Sequence, residues 1–124
     1  MIYGIGTDII EVERVRQAIE RHRGRFLERL FTEAERRYCE VHADSVVHYA
    51  GRFAAKEAIA KALGTGFGKD LGWHDVEIIN EKSGKPLAII KGKREESLAA
   101  DIVVHLSISH CRSYATATAV ITHK

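Results

Sequence analysis

Residues 52–66 read RFAAKEAIAKALGTG, and how this stretch is read decides the fold. Alanine dominates it, and neither proline nor glycine interrupts it before Gly64, so its composition is helical. At ~100° per residue, Ala55, Ala58, Ile59, Ala62 and Leu63 form one apolar stripe, with Glu57 and Lys61 together roughly opposite. An exposed pair at this spacing contributes only about 0.2–0.5 kcal/mol. Phe53 and Ala60 flank the pair and Ala54 lies nearby, so the charged face also has small and apolar neighbours. Two readings stand here: Glu57 and Lys61 decorate a surface, or they line a site.

Working outward, residues 2–10, IYGIGTDII, alternate as a strand, with Tyr3, Ile5, Thr7 and Ile9 on one face and Ile2, Gly4, Gly6, Asp8 and Ile10 on the other. The two glycines leave space on the face that carries Asp8, so a backbone or a ligand can approach it closely. Val12, Val15 and Ile19 set a helix over about 12–22, stopped by Gly24. Thr32-x-x-Glu35 has the form of a capping box and starts a short helix through about Glu40. Asp44 or Ser45 then caps the long helix that ends at Leu63. Downstream, DVEIIN and PLAII are strands joined by a turn at Ser83 and Gly84, with Pro86 opening the second. Residues 93–100 are read as a helical connector. VVHLSIS and YATATAVI close the chain as a hairpin around HCRS. Strand, helices, then neighbouring strands predict an α+β fold with a mainly antiparallel sheet packed on the long helix.

The 124 residues, 45% of them hydrophobic, suffice for one core, so residues 1–124 are expected to form a single domain. A net charge of +2 gives no general field for nucleic acid, and the only dense basic run is local, over residues 14–25. Cys39 and Cys111 form neither a C-x-x-C nor a zinc spacing, which favours reduced thiols. No secretory pattern opens the sequence, and no apolar run approaches the ~18 residues that span a bilayer. A soluble, cytoplasmic protein is expected.

Several motifs invite nucleotide chemistry. GIGTD lacks the third glycine of a dinucleotide fingerprint and is not followed at once by a helix N-terminus. GTGFGKD follows a helix instead of preceding one, and Asp70 stands where a P-loop needs Ser or Thr. That loop is either a helix C-cap on Gly64 or, with Lys69, a wrap for phosphate. HLSISH puts His105, Ser107 and Ser109 on one strand face, and Leu106, Ile108 and His110 on the other. The first set is either a solvated face or a surface that bonds phosphate or ribose. Asp8 is either a strand-end polar residue or part of a site. Arg14, Arg21 and, if the turn continues past Gly24, Arg25 project in nearly one direction. With Glu13 and Glu20 between them, they are either an ordinary charged face or a dock for an acidic partner.

GIGTDI, GRFAAKEAIAKALGTG and HLSISH together resemble the short type of phosphopantetheinyl transferase, the bacterial holo-acyl-carrier-protein synthases. The likeness covers essentially the whole sequence, and SGKP before the terminal hairpin also fits. The resemblance implies a phosphopantetheinyl-transferase-like fold and transfer of phosphopantetheine from coenzyme A to a serine of apo acyl carrier protein. This requires Mg²⁺, releases adenosine bisphosphate and supports fatty acid synthesis. It implies Asp8 and Glu57 as metal ligands and catalytic residues, with Lys61 one turn beyond. Gly64, His105, Ser107, Ser109 and His110 become coenzyme contacts alongside Lys61, and Arg14, Arg21 and Arg25 the dock for an acidic carrier. Homotrimers with sites between subunits are implied as well. Longer relatives carry a second carboxylate where this sequence has Ile10, so water is expected to fill that metal position. VHADSVVHY lacks a basic residue that some relatives supply, and His42 and His48 are the candidates to replace it. The reading from another class is a non-enzymatic coenzyme A or nucleotide-binding module, which would need no two-carboxylate metal site.

Overall fold

The alanine-rich stretch forms the C-terminal part of the longest helix in a computed structural model that describes residues 1–91 and 101–124. In chain order the elements are strand β1 (Ile2–Glu11), helices α1 (Val12–His22), α2 (Gly24–Leu30), α3 (Glu33–Glu40) and α4 (Ser45–Leu63), and a 3₁₀ turn at Trp73–Asp75. Strands β2 (Val76–Asn80), β3 (Pro86–Ile90), β4 (Ile102–His110) and β5 (Tyr114–His123) follow. The expected connector at 93–100 lies outside the described residues. The α+β expectation holds, with the strands divided between two antiparallel sheets, β1-β5-β4 and β2-β3.

α4 is not amphipathic in the usual sense. Besides the predicted stripe, Ala50, Gly51, Arg52, Ala54, Lys56 and Ala60 are buried. Protein surrounds most of the helix, as expected for a central element rather than a surface one. Against β1 the approach is unusually close. A Cβ on Gly4 would sit 1.9 Å from the Ala62 carbonyl oxygen, and one on Gly6 would sit 1.9 Å from that of Ala58. The two glycines of GIGTD are therefore the seat of α4, and the space they leave is filled by helix backbone.

The register explains which strand residues face α4. Asp8 lies opposite Ala117, and Ala117 opposite Ile108; Gly6, Ala119 and Leu106 form the adjacent row. Ala115, Ala117, Ala119 and Ile121 are buried on the helix side, while Thr7, Ile9, His105, Ser107 and Ser109 are exposed on the other. Small side chains on both partners let helix and sheet close together.

The N-terminal half is tied to α4 by buried charge. The predicted capping box forms at Thr32 and Glu35, but Glu35 does more than cap. Its carboxylate accepts from the Ile78 N–H at 2.7 Å and pairs with Lys56 Nζ at 2.8 Å, both side chains being fully buried. Lys56 also donates to the carbonyls of Leu30 at 2.7 Å and Trp73 at 2.8 Å. One ammonium thus joins α2, α3, α4 and the 3₁₀ turn, with its remaining protons all used. Lys56→Met would leave the Glu35 charge buried beside an apolar chain and is expected to lower stability by about 3 kcal/mol. An unchanged urea midpoint would contradict that role.

One expectation needs correction. α1 ends where predicted, but Arg23 adopts φ 48° and the chain turns into a second helix beginning at Gly24. Arg25 therefore sits on α2, not on a continuation of α1. Asp44 occupies the N-cap position of α4 without a side-chain cap bond. The turn of the β2–β3 hairpin falls at Ser83 and Gly84, as read, and Gly84 has φ 93°.

Candidate active site

Glu57 emerges on the one side of α4 that protein leaves half open, beside Phe53, and Asp8 meets it from β1. Both line a cleft of about 420 Å³ together with Ile10, Arg14 and Tyr114. Lys61, one turn beyond Glu57, makes its ion pair across to β1: its Nζ lies 3.1 Å from Asp8 Oδ1 and 3.0 Å from the Thr7 carbonyl. The anionic partner of Lys61 is therefore Asp8 on β1, which lines the same cleft as Glu57, so the residues singled out on the helix and on the strand meet at one place. Burial holds the Glu57 carboxyl above its ordinary range, and Asp8 adds to the shift while Lys61 opposes it. Two carboxylates facing one cleft in mutual repulsion are poised to gain from a cation.

Among the described residues there is no group of three or more His, Cys, Asp or Glu able to hold a metal. Asp8 and Glu57 would therefore supply two hard oxygen donors, with water and ligand oxygens completing the shell. That donor set suits Mg²⁺, which keeps several waters and takes one or two protein carboxylates. Ile10 also lines the cleft and carries no donor.

The other predicted contacts divide between two faces. Gly64 caps α4 with φ 82°, its N–H donating to the Ala60 and Lys61 carbonyls at 3.0 and 3.1 Å. The N–H groups of Gly66 and Gly68 are likewise engaged, by Ala60 and Leu71. The loop is thus a helix cap first, and what Gly64 offers a ligand is open space, since no atom lies within 4 Å of a Cβ built there. His105, Ser107 and Ser109 point to the sheet face away from α4, so a single chain does not bring them to the Asp8–Glu57 cleft. On that outer face His105 lies 3.0 Å from Thr122 Oγ1. His110 belongs to the inner set. It enters a second, smaller cleft of about 150 Å³ with Tyr38, His48, Arg52, Asn80 and Gly84.

Arg52 was passed over as part of the helix, although a charge inside an apolar run was the signal to follow. It is 4% exposed, its guanidinium lies 3.9 Å over the Tyr38 ring, and one nitrogen donates to Asn80 and toward the Ile78 carbonyl. Its Nε is buried and has no hydrogen-bond partner among the described residues. Phe53 was read as a flank and proves to be a wall. It stacks at 5.4 Å on Trp73, which stacks at 3.8 Å on Phe67 of the glycine loop.

The arginines form a band rather than one stripe. Arg14 lines the Asp8–Glu57 cleft and also a groove along α1 with Gln17, Ala18, Arg21 and His22. His22 continues into a larger groove, about 700 Å³, with Arg25, Phe26, Arg29 and Trp73. The band runs from the carboxylate cleft over two helices, with the break at Arg23 between them.

A two-carboxylate cleft beside an arginine band offers a seat for a hard cation next to positive charge, a combination suited to phosphate esters. The sequence profile of the 4'-phosphopantetheinyl transferase superfamily matches residues 4–119, and the chain belongs to that family. It is similar to the holo-[acyl-carrier-protein] synthase of Chlamydia pneumoniae, 49% identical over 119 residues that cover 96% of each chain. The fold is similar to that of a holo-(acyl-carrier-protein) synthase from Bacillus anthracis in complex with CoA (3',5'-ADP), at 41% identity and a TM-score of 0.83, over 98% of this chain and 96% of that one. It also resembles the Helicobacter pylori synthase in complex with coenzyme A, at 33% identity and a TM-score of 0.86, over 95% and 99% of the two chains.

Proposed function

We infer that the protein transfers the 4'-phosphopantetheine group of coenzyme A to a serine hydroxyl of apo acyl carrier protein, releasing adenosine 3',5'-bisphosphate and supplying fatty acid synthesis. The observation that carries this reading is the convergence of Asp8 and Glu57 on one cleft, with Lys61 paired to Asp8, in a chain of this family. The serine oxygen forms a bond to the phosphorus of the phosphopantetheine unit, and the bond from that phosphorus to the bridging pyrophosphate oxygen breaks. The bisphosphate leaves with the electron pair. A water held by Glu57 or by the cation would take the serine proton, with Glu57 helping to hold the serine in line. Lys61 would place positive charge where the leaving phosphate gathers electrons. Mg²⁺ held by Asp8 and Glu57 would neutralise pyrophosphate oxygens as charge develops.

The coenzyme's other phosphate would reach the cleft that holds His110 and Arg52, with Gly64 leaving room at the end of α4. A place for His105, Ser107 and Ser109 requires a second copy of the chain. The outer sheet face also exposes Tyr3 at 40%, Ile5 at 62%, Ile9 at 66% and Val103 at 38%, an apolar strip suited to burial. The working form we propose is a homotrimer with each site shared between subunits, acting in the cytoplasm; the exposed strip supports an interface there. No helix among the described residues is long and apolar enough to cross a membrane.

Intact mass of a competent apo carrier, incubated with the protein, coenzyme A and Mg²⁺, tests the reading. A gain equal to phosphopantetheine is expected, and binding of coenzyme A with no gain would turn the assignment to a non-enzymatic module. The arginine band predicts a further result: Arg14→Glu combined with Arg21→Glu raises KM for the acidic carrier by about tenfold while KM for coenzyme A changes little. Equal changes for both substrates would remove the docking role.

A further inference from the structure

The cleft around Arg52 holds more histidine than a phosphate contact requires. His42 and His48 stack with ring centroids 3.7 Å apart and planes inclined by 27°, and His110 stands edge-on to His48 at 5.3 Å. His42 is set by its Nδ1, 2.9 Å from the Tyr38 carbonyl, and Tyr38 carries the Arg52 guanidinium on its ring. The groups that bear on the charge of His48 are His42 and Asp44 from the α3–α4 connection, Arg52 from α4 and His110 from β4, while Tyr38 of α3 meets its ring edge-on. The β2–β3 hairpin contributes the uncharged Asn80 and Gly84, and among the described residues no carboxylate lines the cleft.

We propose that this cleft is a proton-linked phosphate site, in which binding a phosphate dianion of the coenzyme draws a proton onto His48 while His42, stacked against it, sets how much is drawn. The proposal rests on the coenzyme reading above and adds to it how that site responds to pH. Neutral imidazoles stack without penalty, whereas protonated ones at this spacing repel each other and the guanidinium. Burial first, then His42, His110 and Arg52, hold His48 below the usual histidine range, and Asp44 opposes them weakly. A dianion in the cleft reverses that balance by placing opposite charge beside the ring. The sign follows from linkage. Below the free midpoint His48 is already protonated, and above the bound midpoint it stays neutral. Between the two, binding takes up a proton, and affinity falls by up to about tenfold per pH unit as pH rises. The unpartnered Arg52 Nε is a further donor available to such an anion.

Isothermal titration calorimetry with coenzyme A at pH 7.5, in two buffers of different ionisation enthalpy, reads the proton count. The ligand is no source of confusion there, because a phosphomonoester is already a dianion above a second pKa of about 6. The protein is expected to take up a fraction of a proton on binding. His48→Gln is expected to bind several-fold more weakly with no uptake, and His42→Gln to bind with less uptake, because His48 then starts closer to protonation. Binding without uptake by the unaltered protein, or uptake unchanged in His48→Gln, overturns the proposal. No binding of coenzyme A by the unaltered protein overturns the coenzyme reading itself. Should His48→Gln not fold, ring-nitrogen NMR titration of the unaltered protein decides: the His48 midpoint moves up with coenzyme A present, or the proposal fails.

Discussion

Glu57→Gln lowers the rate of phosphopantetheine transfer by about 10³-fold, and Asp8→Asn does the same, with both variants folding normally. Each substitution keeps the shape of the side chain and removes its charge, so the cleft between β1 and α4 is preserved while its hold on a cation is lost. The stability of Glu57→Gln separates this account from a structural one. The Glu57 carboxyl sits above its ordinary range, chiefly through burial and then through Asp8. Its ionised form is therefore disfavoured in the folded state, a cost that is present at neutral pH and relieved as pH falls toward the raised value. Glutamine removes that cost, so the variant should melt at or above the temperature of the unaltered protein. Near-normal turnover, or loss of activity accompanied by loss of fold, would refute the role given to Glu57.

Gly6→Ala is expected to cost about 4 kcal/mol or more, at the far end of what single substitutions do. The new methyl would meet the Ala58 carbonyl oxygen at 1.9 Å and the Ala62 nitrogen at 2.8 Å, backbone atoms of a central helix that is packed on nearly every side. Helix and strand must separate by more than an ångström or the fold must give way. Either outcome also parts Asp8 from Lys61 and Glu57, because Asp8 lies two residues along the same strand face. Residual folded protein should therefore show a depressed kcat. Chemical denaturation paired with single-turnover assay measures both, and a variant of normal stability would mean that α4 is not seated on β1 as described.

The sequence was legible where a local rule and a tertiary rule agreed. The capping box at Thr32 and Glu35, the cap on Gly64, the β2–β3 turn and the alternation of β1 each follow from short-range chemistry, and all are found. Asp8 and Glu57 were linked only through the family resemblance of two separate motifs, and the structure brings both to one cleft. What stayed hidden depended on long-range packing. The apolar stripe of α4 gave no sign that the remaining faces were also covered, because alanine suits either environment. Lys56 stands beside Glu57 in the motif, yet its fully buried pair with Glu35 depends on a residue twenty-one positions earlier. The end of α1 was legible, but α2 was missed because glycine was read only as a stop, whereas here Gly24 opens a new helix directly after Arg23 at positive φ.

Trp73 is the only tryptophan in the sequence. It lies between Phe53, a wall of the carboxylate cleft, and Phe67, which belongs to the loop capping α4. Its indole is therefore an optical reporter built into the protein, and its emission responds to events on both sides without a label. If the carrier docks in the groove that Trp73 also lines, as proposed, stopped-flow fluorescence would follow it in real time and separate the encounter from the chemical step.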